Sequence, residues 1–154
     1  MLKMLELLLP PLPLTSVLCA LISWLTYLFP SLSLNIPYGD IIAIIFWLMG
    51  TAFVLPAAIS FFNAKTTVDP RTPEKSKTLV INGLYKISRN PMYVGFLFYI
   101  LGTAFFYTHI SGLIIAVLFV PYMNRFQISL EEQQLNKTFG TQYSEYCQSV
   151  RRWL

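Results

Sequence analysis

Two short clusters in this chain carry side chains suited to holding a charged small molecule. The first is Ser88-Arg89-Asn90-Pro91-Met92-Tyr93-Val94-Gly95. Asparagine is among the best N-cap residues and proline is favoured at the first helical position, so the pair predicts a helix that starts at Pro91. Free amides and the positive end of the helix dipole attract a carboxylate or phosphate there, and Arg89 adds a formal charge beside them. Gly95, one turn in, permits close approach by a ligand or by another backbone. The second cluster is Glu131-Glu132, which follows Arg125 along the chain. A carboxylate at a membrane centre costs about 2.5 to 3.5 kcal/mol on insertion scales, a cost that largely disappears at the interface, so this pair is free to bind a cation. A ligand with an anionic group, a cationic amine and a ribose matches both clusters together. The same residues also suit plainer roles: a proline-started membrane helix with an interfacial arginine, and a solvated charged turn.

Other chemistry is less well supplied. The single histidine, His109, falls at a turn far from both clusters and reads as an exposed loop residue. Gly95, Gly102 and Ala104 are spaced for helix contact. The sequence has no phosphate-binding Gly-rich loop, no GxGxxG and no Cys/His cluster with metal-ligand spacing, which excludes a Rossmann-type site. Cys19 and Cys147 fall in separate environments and cannot readily pair.

The elements that must position these clusters are membrane helices. Residues are 55% hydrophobic and 12% charged, against about 25% charged in ordinary soluble domains. No Asp, Glu, Lys or Arg occurs in residues 7–39, 41–64 or 90–124. A hydrocarbon core of about 30 Å takes roughly 20 apolar residues per helix, so these stretches hold one, one and two spans. The expected fold is all-α, a polytopic membrane protein of four helices at about 12–29, 41–62, 91–108 and 111–126, within a single domain over 1–154. Pro56 predicts a kink in the second helix. The first helix is too long for a signal-peptide core, and Trp24 and Tyr27 read as interfacial anchors.

With four spans all eleven Lys and Arg fall on one side, which places both termini and the loop 63–90 in the cytoplasm. The net charge of +4 then reflects topology and contact with anionic lipid, not nucleic-acid binding. The loop is expected to be an ordered re-entrant segment, with a turn at Asn82-Gly83. The cytoplasmic tail 127–154 continues the fourth helix, breaks near Phe139-Gly140, and resumes as a short helix. That helix carries Tyr143, Tyr146, Val150 and Trp153, and its aromatics, with Arg151 and Arg152, suit a segment lying on the headgroup layer.

The order of motifs resembles the isoprenylcysteine carboxyl methyltransferase family. Its pieces are Thr67-Val68-Asp69-Pro70, Leu79-Val80-Ile81-Asn82-Gly83-Leu84-Tyr85, Arg89-Asn90-Pro91-Met92-Tyr93-Val94-Gly95, Arg125 with Glu131-Glu132, and Phe139-Gly140-x-x-Tyr143-x-x-Tyr146 with Arg152-Trp153. The likeness covers about residues 66–154. Phospholipid N-methyltransferases look similar in this half, and the first two helices carry no motif of either group.

The resemblance implies a methyltransferase that uses S-adenosylmethionine, bound between the start of the third helix and the segment after the fourth. Arg89, Asn90, Pro91, Tyr93 and Gly95 would line the cofactor pocket, and Glu131 and Glu132 would hold its amine or ribose. Arg125 would sit near the acceptor or organise the glutamates, and Glu131 would take a proton if the acceptor loses one. The acceptor is expected to be lipid-like or prenylated, entering from the bilayer past Phe96, Phe98, Phe105 and Phe106. Carboxyl O-methylation is favoured over N-methylation. Asn90 departs from the best-known members, which have histidine before the proline, and asparagine cannot act as an acid or base near neutral pH. An NADPH-dependent membrane reductase and a non-catalytic scaffold are the alternatives. So few helices leave room for pairing with a second copy.

Overall fold

Prolines and glycines set where each helix begins and ends. A computed structural model describes residues 10–64 and 78–154. The Thr67–Pro70 motif and the basic residues Lys3, Lys65, Arg71, Lys75 and Lys77 lie outside the described residues. Helix α1 spans Pro11–Leu28, with Pro at its first turn. Pro30 opens a single 3₁₀ turn, Pro30–Leu32. Helix α2, Gly39–Asn63, starts after Tyr38 in the left-handed region and runs on through Pro56. Helix α3, Pro91–Tyr107, ends at Thr108, also left-handed. Helix α4, Ile110–Met123, passes through a π turn at Asn124–Ile128 into α5, Ser129–Phe139. Gly140, with φ +52°, ends that long rod, and α6 follows over Thr141–Ser149. Among the described residues the only extended pairing is two isolated bridges, Ser33 with His109 and Ser88 with Arg151.

This is the expected all-α polytopic architecture. Among the described residues three helices are long and apolar enough to cross a membrane, namely Pro11–Leu28, Gly39–Asn63 and the rod from Ile110 to Phe139. At 17 residues, α3 is about 26 Å long and nearly matches the hydrocarbon thickness. On α2 the exposed Ile41, Ile44, Ile45, Leu48, Leu55 and Ile59 form the outward stripe. Its inward stripe is small: Ala43, Gly50 and Ala57 are buried seven residues apart.

That small stripe lets α2 and α3 meet backbone to backbone. A Cβ on Gly95 would stand 2.8 Å from the Gly50 carbonyl oxygen and 2.5 Å from Val54 Cγ2. One on Gly102 would strike the Trp47 ring, and one on Gly112 would lie 2.5 Å from Ala104 Cβ. Tight small-residue contacts of this kind drive helix association in lipid, where the hydrophobic effect offers little. The core is completed by Leu14 and Ile22 of α1, Tyr93, Phe96 and Ile100 of α3, and Phe119 and Met123 of α4.

Three expectations need correction. His109 is not an exposed loop residue but is 1% exposed. The chain after α1 folds over it, so that its Nε2 meets the Phe29 carbonyl at 3.0 Å while Nδ1 accepts from the Ser111 amide and caps α4. Tyr143 and Tyr146 do not lie on the headgroup layer, because α6 turns them inward, and Trp153 packs against the core. Of the four phenylalanines expected along an acceptor path, Phe96 is buried and Phe98 and Phe105 pack against Phe46 of α2; Phe106 is the exposed one.

Candidate active site at the membrane boundary

The site is built where α3 begins and the α4–α5 rod leaves its apolar stretch. Pro121 removes one backbone donor from the rod, and the π turn follows within one helical turn. The extra residue in that turn carries Gln127 and Ile128 to the inside. Gln127 and Glu131, four apart, then share one face, and Gln127 Nε2 donates to Glu131 Oε1 at 2.6 Å. Tyr93, from the first turn of α3, donates its hydroxyl to the same oxygen at 2.5 Å. Both bonds that Glu131 receives among the described residues end on Oε1.

Glu132 faces a different set. Arg152 grips it in a fork, Nε to Oε1 at 3.0 Å and Nη2 to Oε2 at 2.6 Å. Arg89 Nη1 lies 3.2 Å from Glu132 Oε1 and also donates to Cys147 Sγ. The bonds it donates to Glu132 hold the Arg152 guanidinium above its ordinary pKa, against the opposing effect of burial. Two guanidinium groups thus share one carboxylate, leaving one positive charge in excess. Arg89 Nε is buried and has no hydrogen-bond partner among the described residues, and a buried donor left unpaired invites a ligand acceptor.

The backbone around these groups is fixed by the segment after α6. The Arg89 amide donates to the Arg151 carbonyl at 2.8 Å. Asn90 Nδ2 donates to the Arg152 carbonyl at 2.9 Å, and Trp153 Nε1 donates to Asn124 Oδ1 at 2.9 Å. Below them, the Tyr146 hydroxyl donates to the Tyr85 carbonyl at 2.6 Å. Burial pushes the Tyr85 and Tyr146 phenols well above their usual range, so both stay neutral and Tyr146 keeps the proton it donates.

The structure therefore brings together Arg89, Asn90, Pro91, Tyr93, Glu131 and Glu132, and it separates two other expected residues. The open face of Gly95 is turned to Gly50 and Val54, so its lack of a side chain serves the α2 contact and does not line a pocket. Arg125 is exposed, its guanidinium 6.0 Å from the Phe126 ring centre. It does not organise the glutamates, because the π turn points it away from the face that carries Gln127 and Glu131. Asn90 occupies the N-cap without a side-chain cap bond; the Ser88 hydroxyl accepts from the Asn90 amide instead, at 3.1 Å. Sequence reading missed Gln127 and the ion-pairing role of Arg152. The i,i+4 spacing to Glu131 could have found Gln127, but the fold alone shows Arg152.

Comparison with known proteins gives this arrangement a family. The family model described as phospholipid methyltransferase matches residues 39–142, from the start of α2 into α6. The chain belongs to this family. Protein-S-isoprenylcysteine O-methyltransferase A of Arabidopsis thaliana is 33% identical over 143 residues, which cover 88% of this chain and 69% of the plant protein. Protein-S-isoprenylcysteine O-methyltransferase B of the same plant is 39% identical over 80 residues, 50% of this chain and 39% of that protein. The resemblance read from the motifs is thereby borne out, and the family match extends it into α2. No solved structure matches the chain significantly.

Proposed function

We propose that this protein is an S-adenosylmethionine-dependent methyltransferase that modifies a lipophilic, prenylated acceptor at the cytoplasmic face of the membrane, by carboxyl O-methylation. The observation that carries the reading is the meeting of Tyr93, Arg89, Glu131 and Glu132 at the membrane boundary, within a chain of this family. The donor set suits the cofactor. Arg89, whose buried Nε has no partner among the described residues, offers one for the cofactor's carboxylate, and Glu131 Oε2 offers one for its amine or ribose. When bound, S-adenosylmethionine supplies an already activated methyl group, so that the protein has mainly to position and desolvate.

The protein's own groups divide that work. Tyr93 and Gln127 fix the Glu131 carboxylate in one orientation, and Arg89 and Arg152 fix Glu132. The bilayer side of the site is walled by Met92, Phe96 and Met123 of the core, which exclude water from an anionic acceptor. Exposed Arg125, at the end of the apolar part of the rod, is placed to draw a carboxylate acceptor to the boundary. A carboxylate acceptor needs no general base. Orientation follows from charge: Lys86, Arg89, Arg125, Lys137, Arg151 and Arg152 all belong to the end of the bundle that bears the site.

The test is binding followed by turnover. The protein in nanodiscs is titrated with S-adenosylmethionine in a calorimeter, with NADPH as control, and then incubated with methyl-labelled cofactor and S-farnesylcysteine. Saturable binding of the methyl donor and label in a base-labile ester are expected. Binding of NADPH in its place would move the protein to reductase chemistry, and binding of neither would make it a scaffold. Label found only in phospholipid would make the acceptor an amine.

A further inference from the structure

The family match ends at residue 142, yet the best-formed ion pair of the site is made by a residue beyond it. The segment after α6 crosses the site and is joined to three separate elements. Arg151 pairs its backbone with Ser88 and Arg89 before α3, Arg152 grips Glu132 on α5, and Trp153 reaches Asn124 in the π turn. Its carbonyl at Arg152 also receives Asn90, the residue at the start of α3.

We propose that Arg152 is a positioning residue: by saturating Glu132 it turns the segment after α6 into a strap that holds Arg89 and the start of α3 in register with Glu131. The two glutamates then have different tasks. Both oxygens of Glu132 are taken by guanidinium groups, so it serves as the post to which the strap is tied. Glu131 keeps Oε2 for a ligand. A bidentate Arg–carboxylate fork is directional, and a lysine supplies the charge without the fork. Arg152 thus acts on the ligand through Arg89 and Glu132, without touching it.

This inference rests on the proposed cofactor reading for its functional consequence but not for its test, which has two arms on the intact protein in nanodiscs. The first uses no ligand. Hydrogen exchange is followed by mass spectrometry on the peptide holding the Arg89 amide, which the strap protects. R152Q and E132Q should each speed exchange there by about tenfold or more, while R152K has a smaller effect. Unchanged protection in R152Q would overturn the proposal whatever the protein binds.

The second arm measures S-adenosylmethionine affinity in wild type, R152Q, R152K, E132Q and R152Q/E132Q. R152Q should weaken binding by about tenfold, R152K by less, and the double variant should be no weaker than E132Q alone. Additive losses would mean that Arg152 contacts the ligand directly, and would overturn the positioning role. A lower melting temperature with unchanged affinity in the folded fraction would reduce the strap to ordinary stability and overturn it too. Loosened Arg89 in R152Q together with no binding by wild type would support the strap and refute the cofactor reading.

Discussion

The Tyr93 hydroxyl and the Glu131 carboxylate, one at the start of the α3–α4 hairpin and the other just past its end, share a 2.5 Å hydrogen bond on Oε1, the oxygen that Gln127 also reaches. One carboxylate oxygen is therefore committed to the protein, and the other is aimed by that commitment. Tyr93→Phe keeps the ring and its packing beside Phe96 but removes the donor. Losing one partner of a buried carboxylate costs about 1 to 3 kcal/mol, so cofactor affinity should fall by roughly tenfold or more. Calorimetry on the folded variant checks this. Gln127→Leu should weaken binding in the same direction, and undiminished affinity in both variants would remove Glu131 from the ligand site.

Gly95 tests whether a glycine at the head of α3 serves a ligand or a helix. Its missing Cβ faces Gly50 and Val54, so Gly95→Ala should lower thermal stability by about 1 to 3 kcal/mol through overpacking. The affinity of the folded fraction for the cofactor should not change. A variant of normal stability that no longer binds would return Gly95 to the pocket.

Arg125 stands apart from the glutamates, exposed over Phe126. As an acceptor-steering residue it should govern acceptor use without governing the cofactor. Arg125→Ala is expected to leave S-adenosylmethionine affinity within about twofold and to raise the KM for a carboxylate acceptor by about fivefold or more. Equal KM values in the two proteins would assign Arg125 to topology alone.

His109 sits at the opposite end of the bundle, buried between the Phe29 carbonyl and Ser111. His109→Ala removes the α4 cap and one of the two donors to the Phe29 carbonyl, the Leu32 amide being the other. Loss of a cap costs about 0.5 to 2 kcal/mol, and thermal unfolding should register it. Methyl transfer per folded molecule should stay unchanged, because the residue lies a full helix length from Glu131. An activity loss larger than the stability loss would connect this end of the bundle to the site.

What the sequence made legible follows from what each residue must satisfy locally. Charge-free stretches of the right length define spans wherever the solvent is lipid, and the helix bounds fall within a few residues of the expected ones. Asn90-Pro91 and Gly140 announce a start and a stop because their backbone needs are local. His109 was misread because its burial depends on a strand-like contact with Ser33, far away in sequence. The inward turn of Tyr143 and Tyr146 was likewise hidden, since the motif spacing of two tyrosines suits a headgroup face and a protein face equally. The α2 part of the family match offered no motif to read; the residues the fold uses there, Ala43, Gly50 and Ala57, take their meaning from the helix they allow to approach. Arg152 looked like one more interfacial cation until the fold set it against Glu132.

Asn90 stands where the family resemblance leads one to expect a histidine, and the structure shows what the position requires. Its side chain neither caps α3 nor meets a glutamate; Nδ2 donates to the Arg152 carbonyl and so ties the start of α3 to the strap. That task needs a donor and no proton transfer, and an imidazole N–H can perform it as well as an amide. Asn90→His should therefore keep S-adenosylmethionine affinity within about threefold. Asn90→Leu, which has similar bulk and no donor, should lower affinity by about tenfold and speed exchange of the Arg89 amide along with it. Asn90→Asp should be at least as damaging, since a carboxylate would face a carbonyl with nothing to donate. If Asn90→Leu binds normally, the tie to the strap is dispensable. If Asn90→His instead gains a strongly pH-dependent turnover that the wild type lacks, the position can carry a proton after all, and the asparagine marks an acceptor that does not need one.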